Sequence, residues 1–179
     1  GLGYVGLPLS LAFVDAGFTV FGFDVDAAYV ERLAQGRSSI IDVGDDDLAA
    51  ALASGRFFVS ASEASLDDLD AFLICVPTPL SKSRQPDLSY VERAIDMLTH
   101  TRVDRSIVIL ESTTYPGTTS EVLRPALEAT GRQLDDTFLL AFSPERVDPG
   151  NTTHALQRIP KVVGGESIDS MTEALLAAM

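Results

Sequence analysis

The chain opens on Gly1-Leu2-Gly3-Tyr4-Val5-Gly6, three glycines at the spacing G-x-G-x-x-G. At that spacing the first glycine permits a tight turn, the second lets the main chain approach a pyrophosphate, and the third lets a helix pack closely on a sheet. Phosphate oxygens are then held by main-chain N–H groups at a helix N-terminus, with no basic side chain required. The pattern alone has little specificity. Asp24, eighteen residues past Gly6, supplies the second half: a carboxylate at the end of the next strand, placed to accept hydrogen bonds from ribose hydroxyls. The plain alternative is a structural turn with Asp24 capping the helix that begins near Ala27, but Asp26 is the better-placed cap. FAD and S-adenosylmethionine sites share part of this geometry. Asp24 repels a 2′-phosphate, and the nearest following basic side chain, Arg32, lies too far along the helix to clamp one, so NAD is favoured over NADP.

Three further loops carry polar side chains next to prolines: Val76-Pro77-Thr78-Pro79, Ser112-Thr113-Thr114-Tyr115-Pro116-Gly117 and Ser143-Pro144-Glu145-Arg146. Proline fixes the backbone of such a loop, and a short hydroxyl or carboxylate can then face a crevice. Taken singly, Thr78 and Thr113 read as turn or capping residues and Glu145 as a solvated partner of Arg146. Together, on the edge that also carries the glycine loop, they form a set able to hold a water or a substrate hydroxyl for proton transfer.

The elements that must position these residues follow from the apolar pattern. Strand-length apolar runs at Thr19–Asp24, Phe57–Ser60, Ala71–Val76, Ser106–Glu111 and Thr137–Phe142 alternate with helical patterns at about Tyr4–Ala16, Ala27–Ala34, Asp46–Ser54, Leu88–Thr99 and Thr118–Thr130. Runs such as AFLICV and SIVIL have no polar face, which implies a parallel sheet covered by helices on both sides. The expected fold is α/β, a doubly wound parallel sheet of the Rossmann type, in which ligands lie outside the carboxyl ends of the strands. Residues 1–179 are read as one domain. The glycine turn has no strand in front of it, so the first strand is expected to be missing from this segment. Lys161-Val162-Val163 reads as a short strand and Ser167–Met179 as an amphipathic helix. The whole is expected to be excised from a longer protein.

Composition narrows the partners. The net charge is −13 and the basic residues are scattered, which argues against a nucleic-acid surface. Cys75 is the single cysteine, which leaves no disulfide framework and fits a reducing cytoplasm. It lies within the apolar run AFLICV, where a packing role is expected. No run approaches the ~20 apolar residues that span a bilayer. His100 reads as solvated and His154 as a loop residue, and no metal site is expected. Asp45-Asp46-Asp47 reads as the capped start of a helix.

With these residues in place, the chain resembles the UDP-glucose/GDP-mannose dehydrogenase family through six ordered motifs: GLGYVGLPLSLAF, FDVD, VPTPL, ESTTYPGTT, SPERVDPGN and IPKVVGG. Within that family it looks most like the enzymes that act on UDP-N-acetylglucosamine. The resemblance implies oxidation of the C6 alcohol of a nucleotide sugar to a carboxylate with two NAD+. A cysteine traps the aldehyde as a thiohemiacetal that is oxidised to a thioester and hydrolysed. It implies that Gly1, Gly3 and Gly6 shape the cofactor loop, that Tyr4 and Val5 offer N–H groups to the pyrophosphate, that Asp24 holds the adenine ribose, and that Pro77 and Thr78 lie along the cofactor. Thr113 matches a threonine that positions the catalytic water, at the cofactor, and Glu145 the first carboxylate of a Pro-Glu motif. Two positions depart from the pattern of UDP-glucose dehydrogenases: Tyr29 stands where a lysine is common and Pro149 where a second glutamate is, and the latter favours an N-acetylated sugar. The nucleophilic cysteine, its helper lysine and most contacts to UDP are expected beyond Met179. A homodimer or larger assembly is expected to form through regions outside the segment. A β-hydroxyacid or 6-phosphogluconate-type dehydrogenase and a non-catalytic NAD-sensing module are the competing readings; the VPTP and ESTTYPGTT loops tell against the first.

Overall fold

The structure is a computed structural model describing residues 1–80, 84, 86–102, 105–144 and 161–178. The chain runs α1 (Gly6–Asp15), β1 (Val20–Phe23), α2 (Ala27–Ala34), α3 (Asp45–Ala53), β2 (Phe57–Ser60), β3 (Ala71–Ile74), α4 (Ser89–His100), β4 (Ser106–Leu110), a π-helical turn (Thr119–Leu123), α5 (Arg124–Glu128), β5 (Phe138–Phe142), β6 (Gly164–Gly165) and α6 (Ile168–Ala178). The expected alternation of strand and helix is therefore present. The described residues fall into two compact units, Gly1–Ser65 and Leu66 onward, the latter taking in Lys161 and α6.

In the first unit β1 pairs with β2 in parallel, Val20 opposite Phe57 and Phe23 opposite Ser60. α1 forms because Leu7, Ser10 and Val14 recur on one face and are buried, while Pro8 sits in the first turn, where its missing N–H has no helical partner to lose. It stops at Gly17, whose φ of +99° suits glycine, and Phe18 N–H reaches back to the Phe13 carbonyl. α2 has the expected bounds, and Asp26 is its cap, accepting the Tyr29 N–H at 2.9 Å. Leu2, Leu7, Leu33, Leu48 and Phe57 are central to the core of this unit. The acidic cluster does open α3, but no side chain caps it; Asp45 accepts the Ser38 N–H instead. All three carboxylates lie in the first turn, where the helix dipole favours negative charge.

In the second unit β3, β4 and β5 are parallel in that order, and β6 adds antiparallel to β5. All five residues of β4 are buried, as its unbroken apolar run requires. α6 lays Ala174 on the face formed by Ile107, Ile109, Leu139 and Ala141. Residues 1–5 form the glycine loop that leads into α1.

Two expectations need correction. The single helix expected over Thr118–Thr130 is a π-helical turn followed by a five-residue α-helix. Pro125 has no N–H to give the carbonyl four residues back, and the wider turn before it avoids that missing bond. The edge strand expected at Lys161–Val163 is formed by Gly164 and Gly165 instead, paired with Phe142 and Ala141. α6 approaches so closely there that a Cβ on Gly165 would lie 2.2 Å from the Met171 nitrogen, so only glycine can pair at this edge.

Candidate functional site

The glycine loop and Asp24 are brought together within the first unit. Asp24, one residue past β1, accepts the Leu2 N–H on Oδ2 at 2.8 Å and the Asp26 N–H on Oδ1 at 3.0 Å. It does not cap α2. Each carboxylate oxygen still has a lone pair to offer a ribose hydroxyl. Tyr29 reaches the same loop, its hydroxyl donating to the Leu2 carbonyl at 2.8 Å. Burial raises the Tyr29 pKa, the nearby Asp24 charge raises it further, and a hydrogen bond with Ser39 works in the opposite direction. The Arg32 guanidinium lies 5.5 Å from the centre of the Tyr29 ring.

The loop fits a dinucleotide. A Cβ on Gly3 would meet nothing within 4 Å, so the main chain is open to an approaching pyrophosphate. No side chain caps the N-terminus of α1; the Leu7 N–H is taken by the Gly3 carbonyl at 3.1 Å and Pro8 has none, which leaves the Gly6 N–H of the first turn to face an anion. Tyr4 is exposed, Val5 is the helix N-cap with its side chain half-buried, and Gly6 is buried against the unit.

The second unit brings together the loops that follow β3 and β4. Val76 N–H donates to Ser112 Oγ at 3.1 Å, and Ser112 donates onward to the Val76 carbonyl at 2.7 Å. Thr78 Oγ1 donates to the Thr113 carbonyl at 2.5 Å. The Thr78 hydroxyl, expected along the cofactor, is thus engaged by the neighbouring loop, while the Thr113 side chain is exposed and Pro77 lies between the two ties. Just before Ser112, the Glu111 carboxylate accepts from Lys161 Nζ at 2.6 Å, with side chains 6% and 29% exposed. Glu145, like Arg146, Pro149 and His154, lies outside the described residues.

Cys75 is a further correction. In the sequence, the apolar run Ala71–Val76 places it inside a strand. It sits one residue past the end of β3 and is half-buried. The ladder stops because Val76 turns both its N–H and its carbonyl to the Ser112 side chain, and Pro77 has no N–H to continue. Among the described residues no three His, Cys, Asp or Glu side chains gather as metal ligands do, and no helix is long and apolar enough to cross a membrane.

Sequence reasoning missed Ser112, the Glu111–Lys161 pair and the Tyr29 hydroxyl. A serine in a turn carries no sign of which carbonyl it will reach, and Lys161 is fifty residues from its partner. Tyr29 had a signal, since it stands one turn into α2 beside Asp26, but its hydroxyl pointed to nothing legible in the sequence.

A parallel α/β arrangement with a glycine loop opening its first helix and a carboxylate closing the next strand defines a dinucleotide-binding domain of the Rossmann type. The family model for the NAD binding domain of the UDP-glucose/GDP-mannose dehydrogenase family matches residues 1–178, and the chain belongs to that family, with NAD as the cofactor of this domain. It is 35% identical over 185 residues to the UDP-N-acetyl-D-glucosamine 6-dehydrogenase of Pseudomonas aeruginosa, covering 99% of this chain and 43% of that protein. It is 37% identical over 168 residues to the UDP-N-acetyl-D-mannosamine dehydrogenase of Pyrococcus horikoshii, covering 93% of this chain and 40% of that one. The solved UDP-D-ManNAc dehydrogenase structure from Pyrococcus horikoshii superposes with a TM-score of 0.93 at 35% identity, over 99% of this chain and 43% of the other. The chain thus spans less than half the length of these relatives.

Proposed function

We propose that this chain is the cofactor half of an NAD-dependent nucleotide-sugar 6-dehydrogenase that oxidises the C6 alcohol of a UDP-N-acetylhexosamine, UDP-N-acetylglucosamine first among them, to the uronate. The observation that supports it is a family match along nearly the whole chain, together with a glycine loop hydrogen-bonded to Asp24. The overall change is alcohol, water and two NAD+ to carboxylate, two NADH and three protons. Bound NAD+ supplies the hydride acceptor.

In this reading Gly1, Gly3 and Gly6 shape the loop, and the Tyr4 and Val5 N–H groups bind the pyrophosphate. Asp24 accepts from the adenosine ribose, which leaves no place for a 2′-phosphate. Pro77 and Thr78 shape the wall beside the cofactor, and the exposed Thr113 hydroxyl orients a water or the C6 oxygen. Glu145 is the proton acceptor. The nucleophile that holds the aldehyde is a cysteine outside these residues; Cys75 serves packing at the end of β3.

The test is turnover of the full-length protein with NAD+ against UDP-N-acetylglucosamine, UDP-N-acetylmannosamine and UDP-glucose, with Cys75→Ser alongside. The reading expects the fastest NADH production with UDP-N-acetylglucosamine and the same rate in the Cys75→Ser protein. Preference for the mannosamine epimer, favoured by the 37% identical relative, corrects the sugar. No turnover of any of the three would overturn the activity, and turnover that disappears with Cys75 would make that thiol the nucleophile.

A further inference from the structure

The main chain of Leu2 is held at both ends by side chains distant in sequence. Asp24 takes its N–H at 2.8 Å and Tyr29 gives a hydrogen bond to its carbonyl at 2.8 Å. Its side chain is buried over Gly22, where a Cβ would lie 2.8 Å from Leu2 Cδ2. One residue of the glycine loop, immediately before Gly3, therefore has its backbone and its side chain fixed together. Tyr29 is itself fixed: its N–H is bound to Asp26 in the first turn of α2 and its ring is faced by Arg32.

We propose that Tyr29 is a positioning residue for the cofactor: by holding the Leu2 carbonyl it sets the peptide planes of the glycine loop in the orientation that receives a pyrophosphate, and so strengthens NAD+ binding without touching NAD+. The inference rests on the assignment of the glycine loop as the cofactor site. A loop that is already ordered loses less conformational freedom on binding than one that must be ordered by its ligand. The phenol suits the task because it is short of torsions, and burial keeps its proton in place to donate.

The test uses the full-length protein carrying Tyr29→Phe, Tyr29→Lys or Asp24→Ala. Calorimetric Kd for NAD+ and KM for NAD+ and the sugar nucleotide are measured, with Tm as a check on folding. Removing one hydrogen bond in Tyr29→Phe is expected to weaken NAD+ by about three- to tenfold and to leave KM for the sugar nucleotide unchanged. Tyr29→Lys, which restores a donor at similar reach, is expected to recover part of the loss. Unchanged NAD+ affinity in Tyr29→Phe, with Asp24→Ala weakened, would overturn the role of Tyr29 and leave the cofactor site standing. Equal loss toward NAD+ and sugar nucleotide together with a lowered Tm would also overturn it, since that pattern means general destabilisation. If Asp24→Ala binds NAD+ as well as wild type, the cofactor site itself is wrong and the inference goes with it.

Discussion

Ser112 and Val76 close a two-bond ring between adjacent loops: the serine hydroxyl accepts the valine N–H at 3.1 Å and donates to its carbonyl at 2.7 Å. One side chain thereby satisfies both polar groups of a residue that has left the β-ladder. Ser112→Ala leaves the Val76 N–H and carbonyl without these partners. The expected cost is about 1–3 kcal/mol of stability, read as a lower denaturation midpoint with an unchanged m-value. Ser112→Thr, which retains the hydroxyl, should lose less.

Asp24→Ala should weaken NAD+ binding by about 1.5–3 kcal/mol, because hydrogen bonds to a charged acceptor are lost. Calorimetry on the full-length protein measures it. NADP+ bound as tightly as NAD+ by the unmodified protein would count against this role.

Thr113→Ala should lower kcat far more than it changes NAD+ affinity. The tie from Thr78 goes to the Thr113 carbonyl, which alanine retains, so the loop keeps its anchor while the hydroxyl is lost. Steady-state kinetics with both substrates varied decides it, and wild-type values throughout would reduce the residue to a turn.

The Glu111–Lys161 pair lends itself to a double-mutant cycle. Replacing Lys161 with Met removes the ammonium that lies 2.6 Å from a carboxylate 6% exposed, and the expected loss is about 3 kcal/mol, discounted from the fully buried case because Lys161 is 29% exposed. Changing Glu111 to Gln in the same protein removes the carboxylate charge and should restore part of that loss. Additive losses in urea unfolding would show that the two side chains are not coupled.

Tyr29 adds an alkaline limb to stability. Its folded pKa is raised above the unfolded value of 10.0, so the folded state holds the proton more tightly. The associated stability is complete below pH 10 and falls as pH climbs from there through the folded pKa. Tyr29→Phe should flatten that limb in a Tm-versus-pH series.

What was legible in the sequence was what local chemistry decides. α2 followed from Asp26 at its start, β2 from its apolar run, and β4 from a run with no polar face, although it ends at Leu110, one residue before the expected Glu111. The glycine loop and Asp24 were legible because turn geometry and anion binding require specific residue types at fixed spacing. Illegible were the features set by partners far along the chain. β3 ends before Cys75 because Ser112, thirty-six residues from Val76, captures the backbone, and β6 sits at two glycines because α6 leaves no room for a side chain. Pro125 was visible, but its effect was to widen the preceding turn, where the pattern suggested a continuous helix.

The contact at Gly165 links parts of the second unit that share no ladder. The next residue, Glu166, accepts the hydroxyls of Thr119 and Ser120, which begin the π-helical turn after the Thr113 loop. A methyl group at position 165 would act as a wedge under Met171, and any lift of the strand to relieve it would pull Glu166 away from those two hydroxyls. The tolerance at one sheet-edge glycine is thus mechanically coupled to the seating of the helix behind a loop proposed to do chemistry, so a change that adds a single carbon at the edge would be felt there first.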